Sequence, residues 1–145
     1  MSNICLITRK HDGNETNIMS RFVRHWYAYP LLDAFELTNR KDMPGVMLIR
    51  PSVIKLQERL EELKTDPEPI RKALRERLAG DEAKLEAAMF EALNHHDCPA
   101  PKGALILTKT LGEDAVISML LGRLSDFVGR YAELMNAGEE PEIMV

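Results

Sequence analysis

Apolar and polar positions fall along this chain in two rhythms. Three short unbroken apolar runs, at 4–7 (ICLI), 46–49 (VMLI) and 104–107 (ALIL), each pass into polar residues and then into a segment with helical spacing. A run of four apolar residues bounded by polar ones fits a strand buried on both faces. Strands alternating with helices predict a parallel sheet sandwiched between helices. The expected fold is therefore α/β and mostly helical, a small three-stranded parallel sheet covered by about five helices. The competing arrangement is an all-α bundle in which the same runs are parts of helices.

Helical spacing recurs five times or more along the rest of the chain. Residues 15–29 carry Ile18, Met19, Phe22, Val23 and Trp26 on one face, Pro30 interrupts them, and 31–37 reads as a second short helix. Residues 53–64 are amphipathic through Val53, Leu56, Leu60 and Leu63, with Ser52 placed to cap them. Residues 70–79 and 81–94 read as two helices separated by Gly80, a residue suited to the left-handed position just past a helix end. The longest segment is Glu113–Asn136. Its apolar arc runs from Val116 and Ile117 through Leu120, Leu124, Phe127 and Tyr131 to Leu134. Beside that arc lies a stripe of small residues, Ser118, Gly122, Ser125, Gly129 and Ala132, and a third face carries Arg123, Asp126, Arg130 and Glu133. A glycine inside a helix costs about 1 kcal/mol relative to alanine. The stripe thus predicts a close neighbour, either a helix of the same chain or a partner. Residues 137–145 are rich in Gly and Glu and are expected to form a flexible acidic tail.

Composition narrows the picture without naming a function. A chain of 145 residues with 45% hydrophobic content supports one domain, spanning 1–145. The net charge of -4 is well mixed in sign and gives no general pull toward nucleic acid. Residues 1–50 are mildly basic, with seven Lys/Arg against five Asp/Glu, and residues 101–145 are acidic, with four against seven. No apolar run approaches the roughly 18 residues of a membrane span. The amino terminus lacks a charged leader, so a cytoplasmic protein without a membrane partner is expected. Cys5 and Cys98 make no disulfide framework and read as thiols of a reducing compartment.

Three groups of residues could carry chemistry. If the strands are parallel, their carboxyl ends share the edge where open sheets bind ligands. Arg9, Lys10, His11, Arg50, Thr108, Lys109 and Thr110 would then converge with helix amino termini on an anion site. No P-loop or dinucleotide fingerprint accompanies them. Arg21, Arg24, Tyr27 and Tyr29 mix bases and aromatics as single-strand nucleic-acid surfaces do, although Phe22 and Trp26 fall on the inward side. His95, His96, Asp97 and Cys98 are ligating types, but no second pair stands at a zinc spacing, so neither metal nor cofactor is expected. The third group is the small-residue stripe.

With no nucleophile and base legible together, the sequence leans away from an enzyme. The leading expectation is a small non-catalytic protein that binds another macromolecule, a protein such as the target of an adaptor, inhibitor or regulatory subunit, or a second copy of itself as a homodimer. The alternatives are a phosphate- or nucleotide-ligand domain at the basic edge and a nucleic-acid-binding regulator working through Arg21, Arg24 and the nearby aromatics.

Overall fold

A computed structural model describes residues 3–9, 15–16, 21–39, 45, 47–95 and 103–145, with the backbone alone at 9, 15, 16, 39 and 85–95. Among these residues the protein is mostly helical with a small sheet. The strands are β1 (Asn3–Arg9), β2 (Glu15–Thr16), β3 (Phe22–Arg24), β4 (Thr38–Asn39), β5 (Met47–Ile49) and β6 (Glu142–Met144). The helices are α1 (His25–Leu32), α2 (Val53–Thr65), α3 (Glu68–His95), α4 (Gly103–Leu111) and α5 (Glu113–Asn136).

The sheet runs β2, β1, β6, β5, β4, with β3 also pairing β1, and all these pairings are antiparallel. This corrects the expected three-stranded parallel sheet. Two of the three apolar runs are strands, β1 and β5, and since each is antiparallel to β6 they do point the same way. They are not neighbours, however. The carboxyl-terminal strand lies between them, so the segment read as a flexible acidic tail is instead a central strand, with Ile143 0% exposed. Leu6, Ile143 and Ile49 stand in one cross-strand row, all buried against the helices. The acidic letters around Ile143 conceal a strand only three residues long.

The third run, 104–107, belongs to α4. Ala and Leu are strong helix formers, only Leu105 of the helix is fully buried, and the Thr108 hydroxyl donates to the Ala104 carbonyl one turn back at 2.8 Å. Four apolar letters do not distinguish a strand from a buried helical turn. The reading of 15–29 as a helix also gives way. Asn3, Ile4 and Cys5 pair with Arg24, Val23 and Phe22, and alternation along β3 buries Val23 while leaving Phe22 exposed. Helix α1 starts only at His25 and holds Pro30 within it rather than stopping there. Arg59 of α2 donates to the Pro30 carbonyl from Nε at 3.0 Å and Nη2 at 2.8 Å, which satisfies an acceptor near the helix end.

Ser52 caps α2 as expected, its hydroxyl accepting from the Lys55 amide at 3.1 Å. Gly80, by contrast, ends nothing. Residues 68–95 form one continuous helix, and Gly80 is not among the glycines of positive φ, which are Gly45, Gly112 and Gly138. The start of α3 is tied to the start of α5. Arg71 bonds Glu113 and, at 3.0 Å, Asp114, and Arg75 donates twice to Glu113 at 3.1 and 3.0 Å. The Arg75 and Arg71 guanidiniums hold the Glu113 carboxyl below its ordinary range. Both carboxylates also sit in the first turn of α5, the favourable end of its dipole.

One core joins the sheet to the helices, from Ile4 and Leu6 through Leu56, Leu63, Ile70 and Leu74 to Leu124, Phe127 and Ile143. The apolar arc expected of α5 is buried as a set from Val116 to Leu134. Tyr131 is fully buried with its hydroxyl donating to the Pro51 carbonyl at 2.6 Å, and burial pushes its phenol up to about 12. Burial likewise raises the Cys5 thiol. Among the described residues no helix is long and apolar enough to cross a membrane.

Candidate functional site

The antiparallel sheet removes the geometric premise of the basic edge. Thr108, Lys109 and Thr110 lie in the last turns of α4, not beyond a strand. Arg9 ends β1 with its side chain undescribed, and Lys10 and His11 lie outside the described residues. Arg50 does follow β5, but it is occupied. Its Nη2 sits 2.8 Å from Oε1 of Glu142, the residue opposite it when the β5–β6 register is extended by one step. The structure therefore does not bring the expected anion set together. His95 is the last residue of α3, and His96, Asp97 and Cys98 lie outside the described residues. Among the described residues no three His, Cys, Asp or Glu side chains form a group that could hold a metal.

The aromatic and basic residues of the third group separate. Tyr27 is buried, which removes it as a stacking platform. Tyr29 is 54% exposed and meets the His25 ring at 5.3 Å between centroids. Arg24 donates to the Asn3 side chain at 3.0 Å, and Arg21 is exposed just before β3.

What the fold does assemble is a cavity of about 600 Å³ where the end of β3 and the start of α1 meet α3, α4 and α5. Its apolar wall is Ala104, Leu107, Val116, Met119 and Leu120, and its rings are Trp26, Tyr27 and His25. Three guanidiniums line it, Arg24, Arg77 and Arg123, against one carboxylate, Asp81. Arg77 stands over the Trp26 ring at 5.9 Å, a cation–π contact. Arg123 takes part in no ion pair among the described residues, unlike Arg130, which pairs with Glu133 at 3.1 Å on the same helix.

Arg77 and Asp81 are one turn apart on α3. Nε of Arg77 lies 3.4 Å from Oδ1 of Asp81, close enough for an ion pair but without hydrogen-bond geometry. Asp81 is 1% exposed, and its Oδ2 and the Arg77 Nε are both buried without a hydrogen-bond partner among the described residues. An unmade hydrogen bond at a buried polar atom costs on the order of 1–3 kcal/mol. This pair is the least satisfied polar feature lining the cavity.

Sequence reasoning missed Arg77, Asp81 and Arg123. Reading Gly80 as a helix end placed Arg77 and Asp81 on different helices, although their four-residue spacing is the signal of a pair once the helix continues. Arg123 was assigned to the solvated face of α5, which holds for its exposure but not for its neighbours. A second concavity of about 850 Å³ runs along α2 between Ile54, Glu58, Glu61, Glu62 and Asp66. It is a broad surface groove, and its carboxylates include Glu62 and Glu61, paired to Arg59 and Lys64.

The small-residue stripe faces outward. Ser118, Gly122 and Gly129 are exposed and Ser125 and Ala132 half-buried. A Cβ added at Gly122 or Gly129 would meet nothing within 4 Å. The close neighbour that the two glycines predicted is not a helix of this chain. No family model, curated protein or solved structure matches the chain.

Proposed function

We propose that this protein binds a small anionic ligand, and that the cavity between α1, α3, α4 and α5 is the site. The observation that carries this reading is the convergence of Arg24, Arg77 and Arg123 on one concave, partly apolar volume. Guanidiniums offer planar donor forks suited to phosphate and carboxylate oxygens. The volume of about 600 Å³ falls within the roughly 300–1,000 Å³ of small-molecule sites. Binding needs no nucleophile or general base, in keeping with a chain in which neither is legible. The anion expected from the sequence is retained, but its place moves from a strand edge to a helix-walled cavity.

A thermal melt of the full chain with inorganic phosphate and ribose 5-phosphate tests the reading. A ligand that binds only the folded state at 100 times its Kd adds about 2.7 kcal/mol of stability. Both compounds are expected to raise the melting point in low salt, and Arg123→Ala is expected to weaken binding at least tenfold while melting like the parent without ligand. An unchanged melting point with either compound across the millimolar range would sink the proposal.

A second reading keeps the protein partner that the sequence favoured, and the open stripe on α5 supports it. Because added Cβ atoms at Gly122 and Gly129 meet open space, the Gly122→Ala, Gly129→Ala double variant is expected to be more stable than the parent in urea, by up to about 1 kcal/mol per site. The stripe serves a partner or a second copy only if the same variant also loses an association seen by sedimentation with the parent. Lower stability in the double variant would show that the glycines are needed within the monomer.

A further inference from the structure

We propose, resting on the ligand reading above, that the anion is a nucleotide: the Arg77–Asp81 pair reads the edge of its base while Arg24 and Arg123 take its phosphate. Two buried atoms line the cavity with opposite needs. Arg77 Nε–H is a donor without an acceptor, and Asp81 Oδ2 is an acceptor without a donor. A phosphate or simple carboxylate can answer the first but not the second, since it brings no N–H. An occupant that satisfies both must present an acceptor beside a donor on one edge. The pairing edges of purine and pyrimidine bases carry that combination, a ring nitrogen or carbonyl oxygen next to an N–H.

The rest of the lining fits the rest of such a molecule. Trp26 and His25 supply rings against which a flat base stacks, an interaction worth about 1–3 kcal/mol. Leu107, Met119 and Leu120 cover apolar surface, and Arg24 and Arg123 are left to a phosphate dianion. Three guanidiniums against one carboxylate leave the cavity net positive, as a nucleoside monophosphate requires and an uncharged amide does not. An inorganic anion would fill little of about 600 Å³.

Isothermal titration of the full chain with GMP, AMP and ribose 5-phosphate separates this proposal from the simpler one. At least one nucleotide is expected to bind tenfold or more tightly than ribose 5-phosphate. Asp81→Asn is expected to erase that difference while leaving ribose 5-phosphate affinity within twofold of the parent. A second readout needs no variant: the chain has a single tryptophan, Trp26, so base stacking should quench its emission where ribose 5-phosphate does not. Equal affinity for all three compounds with no selective quenching would overturn the nucleotide and leave an anion site standing. Binding of none of them would overturn both.

Discussion

A chain ending at Gly138 is expected to show no cooperative unfolding transition. The seven residues it lacks include β6, which lies between β1 and β5 and supplies the backbone partners of Cys5, Leu6, Ile7, Leu48 and Ile49. Without it the two strands have no hydrogen-bonded link to each other in the described sheet, and their inner edges present open N–H and C=O groups. Loss of Ile143 alone removes about 1.5–3 kcal/mol of apolar burial. Loss of its row also uncovers Leu6 and Ile49, both within 1% of full burial. Against a typical total stability of about 5–15 kcal/mol, these losses together leave no folded population of note. Circular dichroism with temperature checks the point, and a truncated chain that melts sharply within a few degrees of the parent would show β6 to be dispensable.

The second large effect concerns Arg50, which the sequence offered as a ligand-binding residue. Removing it is expected to cost stability first. Glu142 is buried, its side chain 7% exposed, and Arg50 bonds it at 2.8 Å from a position 49% exposed. Breaking a fully buried pair by deleting one partner costs about 3–5 kcal/mol, because a charge is left without compensation. Half of the Arg50 side chain is in water, so the expected loss for Arg50→Ala is smaller, about 2 kcal/mol. A double-mutant cycle in urea separates the pair from the residues. Glu142→Gln added to Arg50→Ala should restore much of the loss, since the orphaned charge is gone. If the two substitutions simply add, the ion pair contributes nothing and the side chains matter for other reasons. Either way a reduced ligand affinity in Arg50→Ala is no evidence for an anion edge unless the melting point is held constant.

These two residues show where local reading stops. Arg50 and Glu142 are 92 positions apart, and nothing in the letters near either one announces the other. The same is true of the cavity. Arg24 comes from the end of β3, Arg77 and Asp81 from α3, and Arg123 from α5, so their meeting depends on how three separate elements pack. Only Arg24 was singled out from sequence, and for a surface that the burial of Tyr27 dismantles.

The sequence by itself determined what periodicity over many residues can determine. The apolar arc of α5, the face and Ser52 cap of α2, and the strand character of two of the three apolar runs all follow from patterns local to each segment. A long helix repeats its signal over several turns, so single exceptions do not hide it. Tertiary structure decided the rest. Residues 22–24 become a strand because Asn3, Ile4 and Cys5 offer them an edge, overriding a spacing that fits a helix equally well. Gly80 continues a helix because its cost of about 1 kcal/mol is small beside the packing of the flanking turns. The last residues become a central strand because two like-directed strands need an antiparallel one between them, a pairing energy that exists only when distant segments meet.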